Sequence, residues 1–131
     1  MDKDIVVTVW NALHDRFGDD LRVVTRYDGL EYESIMRDDV RDLYSDDQER
    51  DYISNTVISQ LHLEDADKAA ESGPAEGFVR IFGQAWVLTC PDSLDRKSGL
   101  IVSLQRDGDL SMDAVEQCLT YFESDLPQQD G

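Results

Sequence analysis

Lysine is nearly missing from this sequence. Three lysines and nine arginines stand against 29 acidic residues, 21 of them aspartate, and the 131-residue chain carries a formal charge of −17 at pH 7. A field of that sign repels phosphate backbones and anionic lipid, which argues against direct nucleic-acid binding and against membrane attachment. The acids are spread through the chain and are not gathered into a tail, unlike the usual acidic interaction tail. Abundant aspartate with scarce lysine fits a salt-accumulating cytoplasm, where molar salt shortens the screening length to about 3 Å and makes such self-repulsion bearable.

Cysteine and histidine are equally sparse. Cys90 and Cys118 are too few and too isolated for a disulfide framework or a paired-cysteine metal site, and both read as small buried hydrophobes. His14 and His62 lack the close spacing of a zinc motif, and Cys90 could use His62 as a base only if folding brought the two within hydrogen-bond reach. Lys97-Ser98-Gly99 has the end of a phosphate loop without its preceding glycines, and neither a dinucleotide fingerprint nor a nucleophile elbow occurs. The acid pairs Asp38-Asp39, Asp46-Asp47 and Asp65/Asp67 arise cheaply at this composition and do not have the spaced oxygen ligands of a calcium loop. No catalytic, cofactor-binding or metal-ligating residue is therefore assigned. No run approaches the ~18 apolar residues that span a bilayer, and Met1-Asp2-Lys3-Asp4 lacks a signal peptide's positive flank, so a cytoplasmic location is expected.

What is present is enough apolar material for one core: 34 residues of Leu, Ile, Val and Phe. A single domain over 1–126 is expected, followed by a disordered tail over 127–131. The spacing of Val6, Val9, Trp10, Leu13 and Phe17 predicts a helix over about 4–17 with Trp10 turned inward, stopped by Gly18. Asp28-Gly29 between two β-branched and aromatic runs predicts a two-residue hairpin turn, with Tyr27 opposite Leu30 and Arg26 opposite Glu31. After a polar joint with one short helical turn, Ser45 and Gln48 form a capping-box pattern for a second helix reaching about Leu61, with Ile53, Val57 and Leu61 on its face. The stretch Glu64–Gly77 has no hydrophobic period and contains Gly73-Pro74, so it reads as a flexible connection, with a helical extension at its start.

The second half is rich in strands. Phe78–Phe82, a Gly83-Gln84 turn and Ala85–Cys90 form a hairpin, and Pro91 ends it. Gly99–Gln105 has apolar residues on both sides, which requires a sheet covered on both faces. Met112, Val115, Cys118, Leu119 and Phe122 line a last helix capped by Ser111 or Asp109 and closed by Pro127.

The stretches LRVVTRYDG, VRIFGQAWVLTCP, GLIVSLQRDG and VEQCL resemble a family of small haloarchaeal proteins that brings no activity with it. The element order α-β-β-α-β-β-β-α also resembles the roadblock or dynein-light-chain family, with VRIFGQAWVLTCPDS and GLIVSLQRDG in the place of its last three strands. That resemblance implies a five-stranded antiparallel sheet between helices, the extended second helix on one face and the terminal helices on the other. It also implies homodimers or heterodimers that scaffold or regulate other proteins. The function expected is a non-enzymatic cytoplasmic regulatory or scaffolding module, acting by self-association or on another cytoplasmic protein. A small-molecule sensor domain is the first alternative and an enzyme the second. Ile53, Val57, Leu61, Phe78, Arg80 and Phe82 are the interface residues expected.

Overall fold

The computed structural model of the chain describes residues 2–67, 76–92 and 97–124. Helix α1 (Asp2–Phe17) leads through a short 3-10 turn into the hairpin β1 (Leu21–Asp28) and β2 (Glu31–Met36). One turn of helix, α2 (Asp38–Arg41), precedes the long helix α3 (Asp46–Asp67). Strands β3 (Phe78–Ile81), β4 (Ala85–Pro91) and β5 (Ser98–Gln105) and helix α4 (Asp113–Ser124) complete the order. All strand pairs are antiparallel, in the order β2-β1-β5-β4-β3. This is the five-stranded, roadblock-like sandwich expected, with the short α2 as one further element.

The two faces of the sheet differ in chemistry. On one face, Ile5, Val6, Val9, Leu13 and Phe17 of α1 and Ala114, Val115, Cys118 and Tyr121 of α4 bury against Val24, Trp86, Leu88, Leu100, Val102 and Leu104. On the other, α3 lays Ile53 and Val57 on Tyr27, Ala85, Val87 and Ile101. This second seam is smaller and half polar, because Thr25, Thr56, Gln60, Thr89 and Ser103 are buried in the protein as well. Each polar group placed there needs a partner, since an unpaired one costs roughly 1–3 kcal/mol.

Several local expectations hold. Gly18 takes φ +59 directly after α1, the left-handed position that ends a helix. The capping box is reciprocal: the Ser45 amide donates to Gln48 Oε1 at 2.8 Å and the Gln48 amide to Ser45 Oγ at 3.2 Å. The Phe82 amide donates to the Ala85 carbonyl at 2.8 Å and closes the Gly83-Gln84 turn. The helical extension of α3 runs to Asp67, while 68–75 of the expected connection, and the tail 127–131, lie outside the described residues.

Four expectations are corrected. The first hairpin turns on Gly29-Leu30, with Asp28 opposite Glu31, Tyr27 opposite Tyr32 and Arg26 opposite Glu33. Gly29 alone has a positive φ, +64, the first central position of a primed turn, where glycine avoids the Cβ clash. Strand β4 takes in Pro91 as its last residue instead of stopping at Cys90: Pro91 sits opposite Gly99, and just beyond it the Asp92 amide donates to the Ser98 carbonyl at 2.9 Å. Leu61 is exposed and Gln60 takes its place in the seam. Trp10 is only half-buried at the rim of the larger core, stacked on His14 at 5.9 Å.

Candidate functional site

The sheet separates the candidate nucleophile Cys90 from the candidate base His62. Cys90 packs toward α1 and α4, whereas His62 is exposed on α3 across the sheet. Burial pushes the thiols of Cys90 and Cys118 up to about 12, which leaves them protonated and poorly nucleophilic at neutral pH. His14 is held on α1 beside Trp10, with Asp19 at 3.9 Å. Among the described residues no group of three or more His, Cys, Asp or Glu could hold a metal ion. The acid pairs serve locally: Asp39 accepts from Arg37, which holds its carboxyl below the usual range, and Asp47 meets Arg50 at 3.5 Å.

The interface residues expected from sequence divide into two groups. Ile53 (1% exposed) and Val57 (9%) are committed to the chain's own sheet. Leu61 and Phe82 face outward, and Phe78 and Arg80 are half-buried on the edge strand β3. Arg80 joins the strand to the helix. Its Nη2 donates to Ser59 Oγ at 2.8 Å, and its guanidinium lies 5.2 Å from the Tyr52 ring centroid and 5.5 Å from that of Phe78.

Around this joint the surface changes character. Ile58 (49% exposed) and Leu61 (38%) stand one turn apart on α3; at the end of β3, Ile81 (62%) is paired with Trp86 and so faces the α1 and α4 side of the sheet, and Phe82 (47%) follows it. No acid occurs between Tyr52 and Leu63, or between Gly77 and Pro91. The opposite sheet edge, β2, instead exposes Glu31 and Glu33, the charged blunting by which edge strands avoid pairing. Ile58 and Ile81 were not foreseen in the sequence. Their acid-free surroundings were the available signal.

A second feature lies under the N-terminal half of α3. A cleft of about 130 Å³ opens between that helix and the sheet. Its floor is formed by Val23, Thr25, Val87, Ile101 and Ser103, its wall by Glu49, Tyr52 and Ile53, and Tyr44 and Met36 also line it. Burial raises the phenol of Tyr52, opposed by the charge of Arg80, and burial followed by the charge of Glu49 raises that of Tyr32.

The fold is a roadblock-like α/β sandwich, a five-stranded antiparallel sheet between helices. The chain belongs to the family described as a domain of unknown function (DUF7522), whose model matches residues 8–123. Neither the curated proteins nor the solved structures give a significant match. Among the described residues no helix is long and apolar enough to cross a membrane.

Proposed function

We propose that the protein is a non-enzymatic cytoplasmic regulatory or scaffolding module that works through protein–protein contacts, with a second copy of itself as its first partner. The observation that carries this reading is that the two acid-free stretches, 52–63 and 77–91, leave Ile58 and Leu61 exposed on α3 and Ile81 and Phe82 exposed at the end of the edge strand β3, in a chain of net charge −17. Two copies of so acidic a chain meet most cheaply where neither presents a carboxylate. A two-fold arrangement would set β3 against β3 and α3 against α3, pairing the open strand groups and covering the four apolar side chains. It accords with the dimerisation implied by the roadblock resemblance. The haloarchaeal resemblance supports a salt-rich cytoplasm as the setting, in which screening permits the approach.

Sedimentation over a protein concentration series in molar KCl tests this directly. A dimer is expected, weakened at least tenfold by Ile58→Asp or Phe82→Asp and unaffected by Leu30→Asp at the far hairpin. A monomer persisting at high concentration rejects self-association. Val57→Asp is not a fair probe, because Val57 belongs to the seam beneath α3.

A further inference from the structure

We propose that the guanidinium of Arg22 binds a single halide ion, chloride in a chloride medium. Arg22 is the one charged side chain among the described residues that is fully buried, at 7% exposure. In a chain with 29 acids it makes no ion pair with any described residue. Its Nη1 donates to a neutral acceptor, Gln105 Oε1, at 3.0 Å, and its Nε is buried without a partner. Arg26, on the same strand, shows the usual arrangement, both of its terminal nitrogens donating to Asp92 at 2.7 Å. The hydroxyl of Thr89 also lacks a partner, but it is neutral. Arginine cannot shed its charge, and a buried charge without a counter-charge is among the costliest arrangements in a fold.

The surroundings add a second cation. Arg22 stands at the register shift between Leu21 and Val23, where β1 falls out of step with β5. The Arg37 amide donates to the Arg22 carbonyl at 2.8 Å, which holds the two residues side by side, and Arg37 Nη2 reaches the same Gln105 oxygen at 3.0 Å. That oxygen is fixed in place, because Gln105 Nε2 donates to the Gln84 carbonyl at 3.1 Å and to Asp107. Two guanidiniums therefore share one neutral oxygen. Asp39 answers Arg37 through both carboxylate oxygens, and the charge of Arg22 is left over.

Size and charge select the ligand. The slight exposure of Arg22 admits a small sphere and not a group as wide as phosphate or sulfate. The carboxylates of Asp39 and Asp107 stand close by on Arg37 and Gln105, and they penalise a second negative charge on the ligand. In molar salt their field is screened beyond about 3 Å, so a monovalent ion can approach. A guanidinium in contact with an anion makes a charge-assisted hydrogen bond, which diffuse screening does not supply to a buried group.

The test follows the Nε–H resonance of Arg22 in the full chain while potassium chloride replaces potassium methanesulfonate at constant molar potassium, so that general screening stays the same. A saturable shift is expected, reproduced by bromide, with phosphate and sulfate binding at least tenfold more weakly. Gln105→Glu gives both guanidiniums a resident carboxylate and should remove the response. Arg22→Met should abolish the rise in urea midpoint that chloride produces over methanesulfonate in the native chain. Both variants are checked for an otherwise native amide spectrum. A linear or absent shift in the native chain, phosphate or sulfate binding within tenfold of chloride, or an undiminished chloride effect in either folded variant overturns the proposal.

Discussion

The hydroxyl of Tyr27 donates a 2.8 Å hydrogen bond to Oε1 of Gln60 across the seam between β1 and α3, and both side chains are fully buried. The long helix is therefore fixed to the sheet by a polar contact as well as by Ile53 and Val57. Burial raises the Tyr27 phenol well above its ordinary value, with the charge of Asp92 adding to the effect, so the hydroxyl remains a donor through the physiological range. Gln60→Leu should cost about 1–3 kcal/mol by leaving that donor without its acceptor. Adding Tyr27→Phe should cost less than the two single changes together, with a coupling of about 1 kcal/mol or more in urea unfolding. Strict additivity would show that the bond does not contribute.

Two glycines should respond differently to a methyl group. A Cβ on Gly99 would lie 2.5 Å from the Cys90 carbonyl oxygen, 2.6 Å from Pro91 Cα and 2.8 Å from the Tyr27 hydroxyl. Backbone must move to admit it, so Gly99→Ala is expected to cost about 3 kcal/mol or more. Gly29 has open space around it and only its φ of +64 to defend, so Gly29→Ala should cost about 1–2 kcal/mol. Urea midpoints of the two variants give the comparison, and equal losses would contradict it.

Alkaline pH should unfold the protein through its thiols. Cys90 and Cys118 are held near 12 by burial, against roughly 8.5 in an unfolded chain. Between those values the unfolded state binds fewer protons than the folded one, so stability is complete below about pH 8.5 and falls as pH rises, by about 1.4 kcal/mol per pH unit for each thiol. Cys118→Ala should flatten that slope measurably between about pH 9 and 11, whatever it does to stability at pH 7. An unchanged slope would place the loss elsewhere.

Salt should stabilise the fold. The net charge of −17 opposes compaction, and added ions screen it. The melting temperature is expected to rise by about 5 °C or more between dilute buffer and molar KCl, which corresponds to a little over 1 kcal/mol for a domain of this size. Highest stability in dilute buffer would refute the salt-adapted reading of the composition.

The features legible in the sequence are those whose partners lie close along the chain. Ser45 and Gln48 are three residues apart and cap one another, and the alternation in Gly99–Gln105 declares two covered faces without reference to what covers them. The first hairpin was displaced by two residues, yet every side chain kept its side of the sheet because the strand repeat is two. Gln60 could not be read as buried, since its partner Tyr27 lies 33 residues away. The register shift beside Arg22 was equally hidden: it lets Leu21 and Val24, three apart, both enter the larger core. The cleft draws its lining from four strands, one helix and the loop before that helix, brought together only by the fold, and the exposure of Ile81 depends on which strand ends the sheet.

Arg80 has a consequence for the shortest strand. Four residues paired to a single neighbour could slide by one position at little cost to their ladder, and such a slip would turn every side chain to the opposite face. The guanidinium, lodged between two aromatic rings and bonded to Ser59, works like a dowel through two boards. It locks the position of β3 against α3, so that anything docking along that margin meets Ile81 and Phe82 at one fixed offset from Ile58 and Leu61.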